Sequence, residues 1–263
     1  MKKILLTLLI FWLSAFTNQS QPIKTNSSYK GGEWFQFRIH YGIFNASFAT
    51  LELKEESLNG KEVYHVVGNG QTTGLASLFF KVDDNYESYF DKQTGQPYKF
   101  IRKIDEGGHT KDLEINFDYK TNKAVLEDHK HDTEKSFKIE EGIQDLLSAF
   151  YYLRDRVDIN NINKGDEYVS DMLFDDDGIF KFKLKYLGRE TLNTKFGKVR
   201  CLKFRPFVQS GRIFKEEESL TLWVSDDDNK MPIRVKADIL VGSIKADLEA
   251  FKGLKHQFKI HMN

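Results

Sequence analysis

The sequence predicts a mainly β protein: a curved antiparallel sheet or partly open β-barrel, with one central helix across its concave face. Three observations lead there. Period-2 alternation recurs along most of the chain, most clearly in "FKFKLKY". There Phe180, Phe182, Leu184 and Tyr186 alternate with Lys181, Lys183 and Lys185. Strands of this kind have one buried and one wet face, which favours antiparallel pairing. Turn chemistry falls between them, at Asn59-Gly60, Gly107-Gly108, Asp175–Gly178 and Asp226–Lys230. Finally, one stretch in mid-chain, "DLLSAFYYLR" from Asp145, carries helical spacing instead.

Taken in chain order, Met1-Lys2-Lys3 is a short positive segment, and Ile4–Phe16 is almost wholly apolar. This is the pattern of a secretory signal peptide, expected over residues 1–17. The apolar run is shorter than the roughly 20 residues of an ordinary membrane span, so no span is expected in the mature chain. Residues 18–30 are polar and expected to be flexible. A single β-rich domain is expected over 31–253, and a C-terminal tail over 254–263. The expected location is outside the cytoplasm, in the periplasm of a Gram-negative bacterium.

Composition narrows the possibilities. The chain has 263 residues, 40% hydrophobic, so it can bury a sizeable core. Its 22 Phe and 11 Tyr suit strands. Basic and acidic residues balance at 39 each, which removes the charge excess that nucleic-acid binding needs. Cys201 is the only cysteine, so no intrachain disulfide forms and stability rests on the core. In "KVRCLKF" that thiol reads as a small buried apolar residue.

Alternation defines the first strands. Phe35, Phe37, Ile39 and Tyr41 share one side, against Gln36, Arg38 and His40. Leu113, Ile115, Phe117 and Tyr119 alternate likewise. Two hairpins resemble each other: "YESYFDKQTGQPYKFIRKI" and "LTLWVSDDDNKMPIRVKADI" both turn through acidic residues and restart at a proline. A proline at a strand start sacrifices little pairing. "GGEWFQF" at Gly31 and "GDEYVSDMLF" at Gly165 also open alike. The two readings are two similar halves flanking a helix, or chance similarity among hairpins.

On a helical wheel, Leu146, Leu147, Phe150, Tyr151 and Leu153 share a broad arc, and Ser148, Tyr152, Asp155 and Arg156 fall opposite. Asp145 is the expected N-cap. Arg154 falls inside the apolar arc, where a guanidinium needs a partner. One reading pairs it with a carboxylate on the sheet or lets it snorkel at the helix end. The other places it at the polar end of a cavity, facing an anionic headgroup.

No catalytic constellation emerges. There is no G-x-S-x-G nucleophile elbow, and Ser148 sits on the polar helix face. "GNG" at Gly68–Gly70 reads as a turn. His129 and His131 lie two apart but are too few for a structural metal site. Asp175–Asp177 and Asp226–Asp228 lack the spaced ligands of a calcium loop and read as turn formers, as do Asp83, Asp84 and Asp91. "GLASLFFKV", Gly74–Val82, is either a buried strand or an apolar flap at a cavity mouth. No metal and no cofactor are expected.

Five segments together, "GEWFQFRIHYG", "DNYESYFDKQTGQP", "LLSAFYYLR", "LTLWVSDDDNKMPIRV" and "VGSIKADL", resemble the bacterial exported proteins of domain of unknown function 3108. The resemblance spans roughly residues 31–253. That family carries no established activity, so the resemblance transfers no catalytic residue. The "LWVSDDDNKMPIRV" hairpin is also similar to one in LolA-like periplasmic carriers of lipoproteins, which implies a curved half-barrel with helices over an apolar cavity.

The expected function is a non-catalytic periplasmic binding or carrier protein for an apolar or lipid-like ligand. Phe150, Tyr151 and Trp223 are expected to line the site, with Arg154 at its polar end. The alternative is a structural or assembly factor of the cell envelope that contacts another envelope protein. An enzyme ranks third.

Overall fold

The computed structural model describes residues 27–42, 44–72, 81–207, 220–238 and 242–260. The expected signal peptide and all but the last two residues of "GLASLFFKV" lie outside the described residues. Among those described, fourteen strands form one antiparallel sheet. The first eight are β1 (Trp34–Tyr41), β2 (Phe44–Leu58), β3 (Lys61–Thr72), β4 (Val82–Asp91), β5 (Pro97–Glu106), β6 (His109–Asp118), β7 (Lys123–Asp128) and β8 (Thr133–Lys138). Helix α1 (Leu146–Arg156) follows. The chain then forms β9 (Glu167–Met172), β10 (Phe180–Thr194), β11 (Gly197–Phe207), β12 (Leu220–Ser225), β13 (Pro232–Asp238) and β14 (Ser243–Lys252).

The strands run in two up-and-down series, β1 to β8 and β9 to β14, joined where β1 pairs with β14. Phe35 lies opposite Phe251 and Ile39 opposite Ala246 across that junction. The resembling hairpins are the fourth and fifth strands of each series. Both carry a bulge at the same place, at Tyr89/Phe90 facing Pro97 and at Trp223/Val224 facing Pro232. The extra residue lets a proline begin the returning strand without breaking the ladder.

The sheet is curved but not closed: β8 and β9 are its edges. The connection between them bridges the gap. Gln144 N–H donates to Asp171 O at 2.9 Å and Leu173 N–H to Gln144 O at 2.9 Å, a short parallel pairing against β9. Beyond β9, Asp175 takes Arg102 and Lys111 from β5 and β6, and Lys111 reaches Asp176 at 2.7 Å. Lys135 of β8 donates to Asp176 O at 3.1 Å. Asp175 and Asp176 therefore do more than form a turn: they hold the two edges of the sheet together with charge-assisted bonds.

Helix α1 lies inside this curve. Its N-cap is Asp145, whose carboxylate accepts Leu147 N–H and Ser148 N–H while Ser148 Oγ accepts Asp145 N–H, a reciprocal cap. Leu153 packs with Leu184, Phe204 and Val224, and Tyr151 packs with Leu53, Val66 and Phe90. A helix between two walls is buried on more than one side. This corrects the wheel. Ser148, expected on a wet face, is fully buried, while Leu146 is 39% exposed.

One end of the sheet is sealed. Of the segment expected to be flexible, Ser28 and Tyr29 are buried, and Ser28 N–H donates to Asp155 at 2.7 Å. From the tail, Leu254 and Phe258 pack on the core. His256 N–H donates to Asn229 Oδ1 at 2.9 Å, its Nε2 lies 3.0 Å from Ser27 O, and Lys259 N–H reaches Asp227. Gly253 turns the chain into this seal at φ +72°, and a Cβ there would collide with the Gly32 carbonyl. Gly253→Ala is expected to lower stability by more than about 1 kcal/mol in urea denaturation. An unchanged midpoint would show that the tail does not dock tightly.

Candidate functional site

The site is built on α1. Leu146, Phe150, Leu153 and Val157 recur at helical spacing along one face and look towards the second strand series. Opposite them, β1 and β2 supply Phe37 and Leu51, and β10 to β13 supply inward side chains such as Phe204 and Leu222. Between helix and sheet these residues leave a cavity of about 340 Å³. Its walls are almost wholly apolar.

Among the described residues two cations reach the lining, and the protein uses both. Arg154 is 3% exposed. Its guanidinium grips Glu33 with both terminal nitrogens, at 2.6 and 2.8 Å. Nε and Nη2 donate to Asn229 O at 3.1 and 2.8 Å. Tyr29, Phe35, Phe150 and Tyr151 surround it, with ring centroids 5.2–5.7 Å from Cζ. Burial opposes the cation, but Glu33 outweighs it and the guanidinium pKa is raised. Lys230, the second cation, donates to Ser28 Oγ at 2.7 Å.

The expected site residues therefore separate. Phe150 and Arg154 stand on the cavity wall. Arg154 is not a polar end for a ligand, because Glu33 and backbone carbonyls take up its donors; the internal ion pair is the correct reading. Tyr151 faces the other wall, within an aromatic cluster with Tyr29 and Phe90 at ring distances of 4.8 and 5.6 Å. Burial pushes its phenol well above the ordinary range. Trp223 is turned away from the cavity. Leu222 and Val224 line the cavity, and by strand alternation Trp223 takes the other face, where it is buried in the cluster that holds Cys201 and Ile233 and its Nε1 donates to Glu190 at 3.1 Å. Cys201 is buried, which pushes its thiol up to about 12.

Glu33 and Asn229 were not anticipated. Glu33 had a signal: it shares strand parity with Phe35 and Phe37, hence the buried face. Asn229 acts through its carbonyl, which side-chain identity does not encode. Of the scattered histidines, His131 pairs with Asp128 in an exposed turn at 2.7 Å. Among the described residues no group of three or more His, Cys, Asp or Glu side chains is placed to hold a metal. No helix among them is long and apolar enough to cross a membrane.

A mainly antiparallel, barrel-like sheet around one capped helix and an apolar cavity defines the class. The chain belongs to the DUF3108 family, proteins of unknown function, whose model matches residues 36–249. It is similar in fold to a β-barrel-like protein of domain of unknown function DUF1849 from Brucella abortus. The TM-score is 0.54 at 8% identity, covering 87% of this chain and 100% of that one. A DUF1089 family protein from Pseudomonas aeruginosa matches with a TM-score of 0.39 at 10% identity, over 77% of this chain and 95% of that one. A search of curated proteins gave no match.

Proposed function

We propose that this chain is an exported, non-catalytic binding or carrier protein of the periplasm, for an apolar or lipid-like ligand. One observation supports the reading: the apolar cavity of about 340 Å³ beneath α1. Ligand sites typically occupy about 300–1,000 Å³ and are mostly apolar, so the volume falls at the small end of that range. A core filled solid with Phe and Tyr would have favoured a purely structural role.

Native mass spectrometry of the protein purified from its own envelope fraction, followed by lipid extraction, tests this. A bound small molecule released on denaturation is the expected result. Protein with nothing bound above background in repeated preparations would overturn the reading.

A second reading, an assembly factor working through a sheet edge, is supported by β9. This strand pairs only with β10 along most of its length, and its Val169 is 57% exposed. Loss of a protein adduct in the same spectra on Val169→Lys is its test.

A further inference from the structure

We infer that the cavity takes one unbranched alkyl chain, tail first, and leaves the polar headgroup outside. The inference rests on the binding-protein reading above and narrows it to single-chain amphiphiles. The first argument is electrostatic. Among the described residues every cation on the wall has a partner: Arg154 is held by Glu33 and Asn229 O, and Lys230 donates to Ser28. A ligand that buried a hydroxyl, carboxylate or phosphate there would lose its water and have to compete with Glu33, Asn229 O and Ser28 for a donor. Only hydrocarbon enters without that penalty.

The second argument is directional. The end of the sheet near the C-terminus of α1 is closed by Ser27–Tyr29, the Asn229 turn and the His256 segment. At the other end α1 begins, and there Leu146 both lines the cavity and meets solvent. Tyr41 closes β1 and Ile179 precedes β10 at this same end, and both are exposed. Among the described residues Leu146 is thus the apolar point where the cavity wall meets solvent, and a chain reaches the interior from there.

The third argument is size. Taking a methylene as about the size of a water molecule, roughly 30 Å³, about 340 Å³ holds on the order of eleven methylenes. That is one medium chain. It is too little for the two chains of a phospholipid or for a fused-ring sterol with its side chain.

The test uses the full chain and a dansyl-labelled medium-chain fatty acid, displaced by straight-chain acids, alcohols and lysophosphocholines of about eight to sixteen carbons. Affinity is expected to rise about fourfold per methylene and to level off near eleven or twelve carbons. Acid, alcohol and lysolipid of equal tail length are expected to agree within about threefold, whichever of them is met in the envelope. Leu222→Trp, on the wall, is expected to weaken the probe more than about tenfold, while Trp223→Phe, on the opposite face, leaves it unchanged. Far-UV circular dichroism checks that both fold.

Saturable binding that is flat with chain length, or that differs more than about tenfold between headgroups, overturns the single-chain inference and leaves the binding-protein reading standing. Equal displacement by a sterol does the same. No fluorescence change with any alkyl probe, from protein first stripped of lipid, removes both.

Discussion

Arg154→Met is expected to destabilise the protein by about 3–5 kcal/mol, measured as the shift in urea denaturation at neutral pH. The substitution leaves Glu33 fully buried without the guanidinium that grips it. It also strips donors from Asn229 O and Ser28 O. Those three groups come from the N-terminal segment, the entry to β1 and the β12–β13 turn, so one side chain ties the helix to three separate elements. Glu33→Leu alone is expected to cost a similar amount, because it strands the guanidinium inside its ring of aromatics. Combining Glu33→Leu with Arg154→Met is expected to cost less than the sum, since a buried pair replaced whole by apolar groups is often close to neutral. Recovery stays partial, because the Asn229 and Ser28 carbonyls still lack the guanidinium. If Arg154→Met moves stability by less than about 1 kcal/mol, the pair is not the anchor described here.

This ion pair also shows how far the sequence was legible. Strand alternation reported the architecture faithfully, because a side chain on a half-buried sheet has only two directions to choose from. The same rule carries two facts about the site. It places Glu33 with Phe35 and Phe37 on the inner face, and it separates Trp223 from Leu222 and Val224. Choosing Trp223 as a lining residue followed size and aromaticity over parity, and parity was right. The helix is harder. A wheel assumes one apolar side and one wet side, whereas α1 lies between two walls. Phe150 and Tyr151, about 100° apart, consequently divide: Phe150 reaches the cavity wall, and Tyr151 is buried against the wall beside it. That neighbouring wall is made by Val66 and Phe90, roughly sixty to eighty-five positions upstream, and no local pattern reports it. The edge closure through Asp175 was hidden for the same reason, since a run of aspartates signals a turn whatever it later touches.

The native protein is expected to lose stability between about pH 4 and 6, and Asp145→Asn is expected to flatten that dependence. Asp145 is fully buried at the start of α1, and burial pushes its carboxyl up to about 6 against the pull of Ser88, Ser148 and Leu147. Ser88 Oγ donates to Oδ2 at 2.6 Å, and the backbone N–H groups of Leu147 and Ser148 donate to Oδ1 at 2.8 Å. Three donors favour the anion, yet the loss of water outweighs them. In the unfolded chain the same group titrates near 3.9. Below about pH 4 both states are protonated and the contribution to stability is fully present. As pH rises the unfolded chain releases its proton first, so stability falls until the folded group ionises near pH 6, and it is level above that. The two values differ by roughly two units, which amounts to about 2–3 kcal/mol in all. Asp84, also raised by burial to about 6, titrates in the same window, so the comparison must be native against variant and not native alone. Asparagine caps a helix about as well as aspartate, and its amide still offers an oxygen to the Leu147 and Ser148 N–H groups. The helix is therefore expected to persist in Asp145→Asn, with only the slope reduced. Urea denaturation of both proteins at about pH 4, 5, 6 and 7 reads the difference directly. Parallel curves for native and variant would mean that Asp145 stays ionised in the fold, and that the donors at the start of α1 prevail over burial.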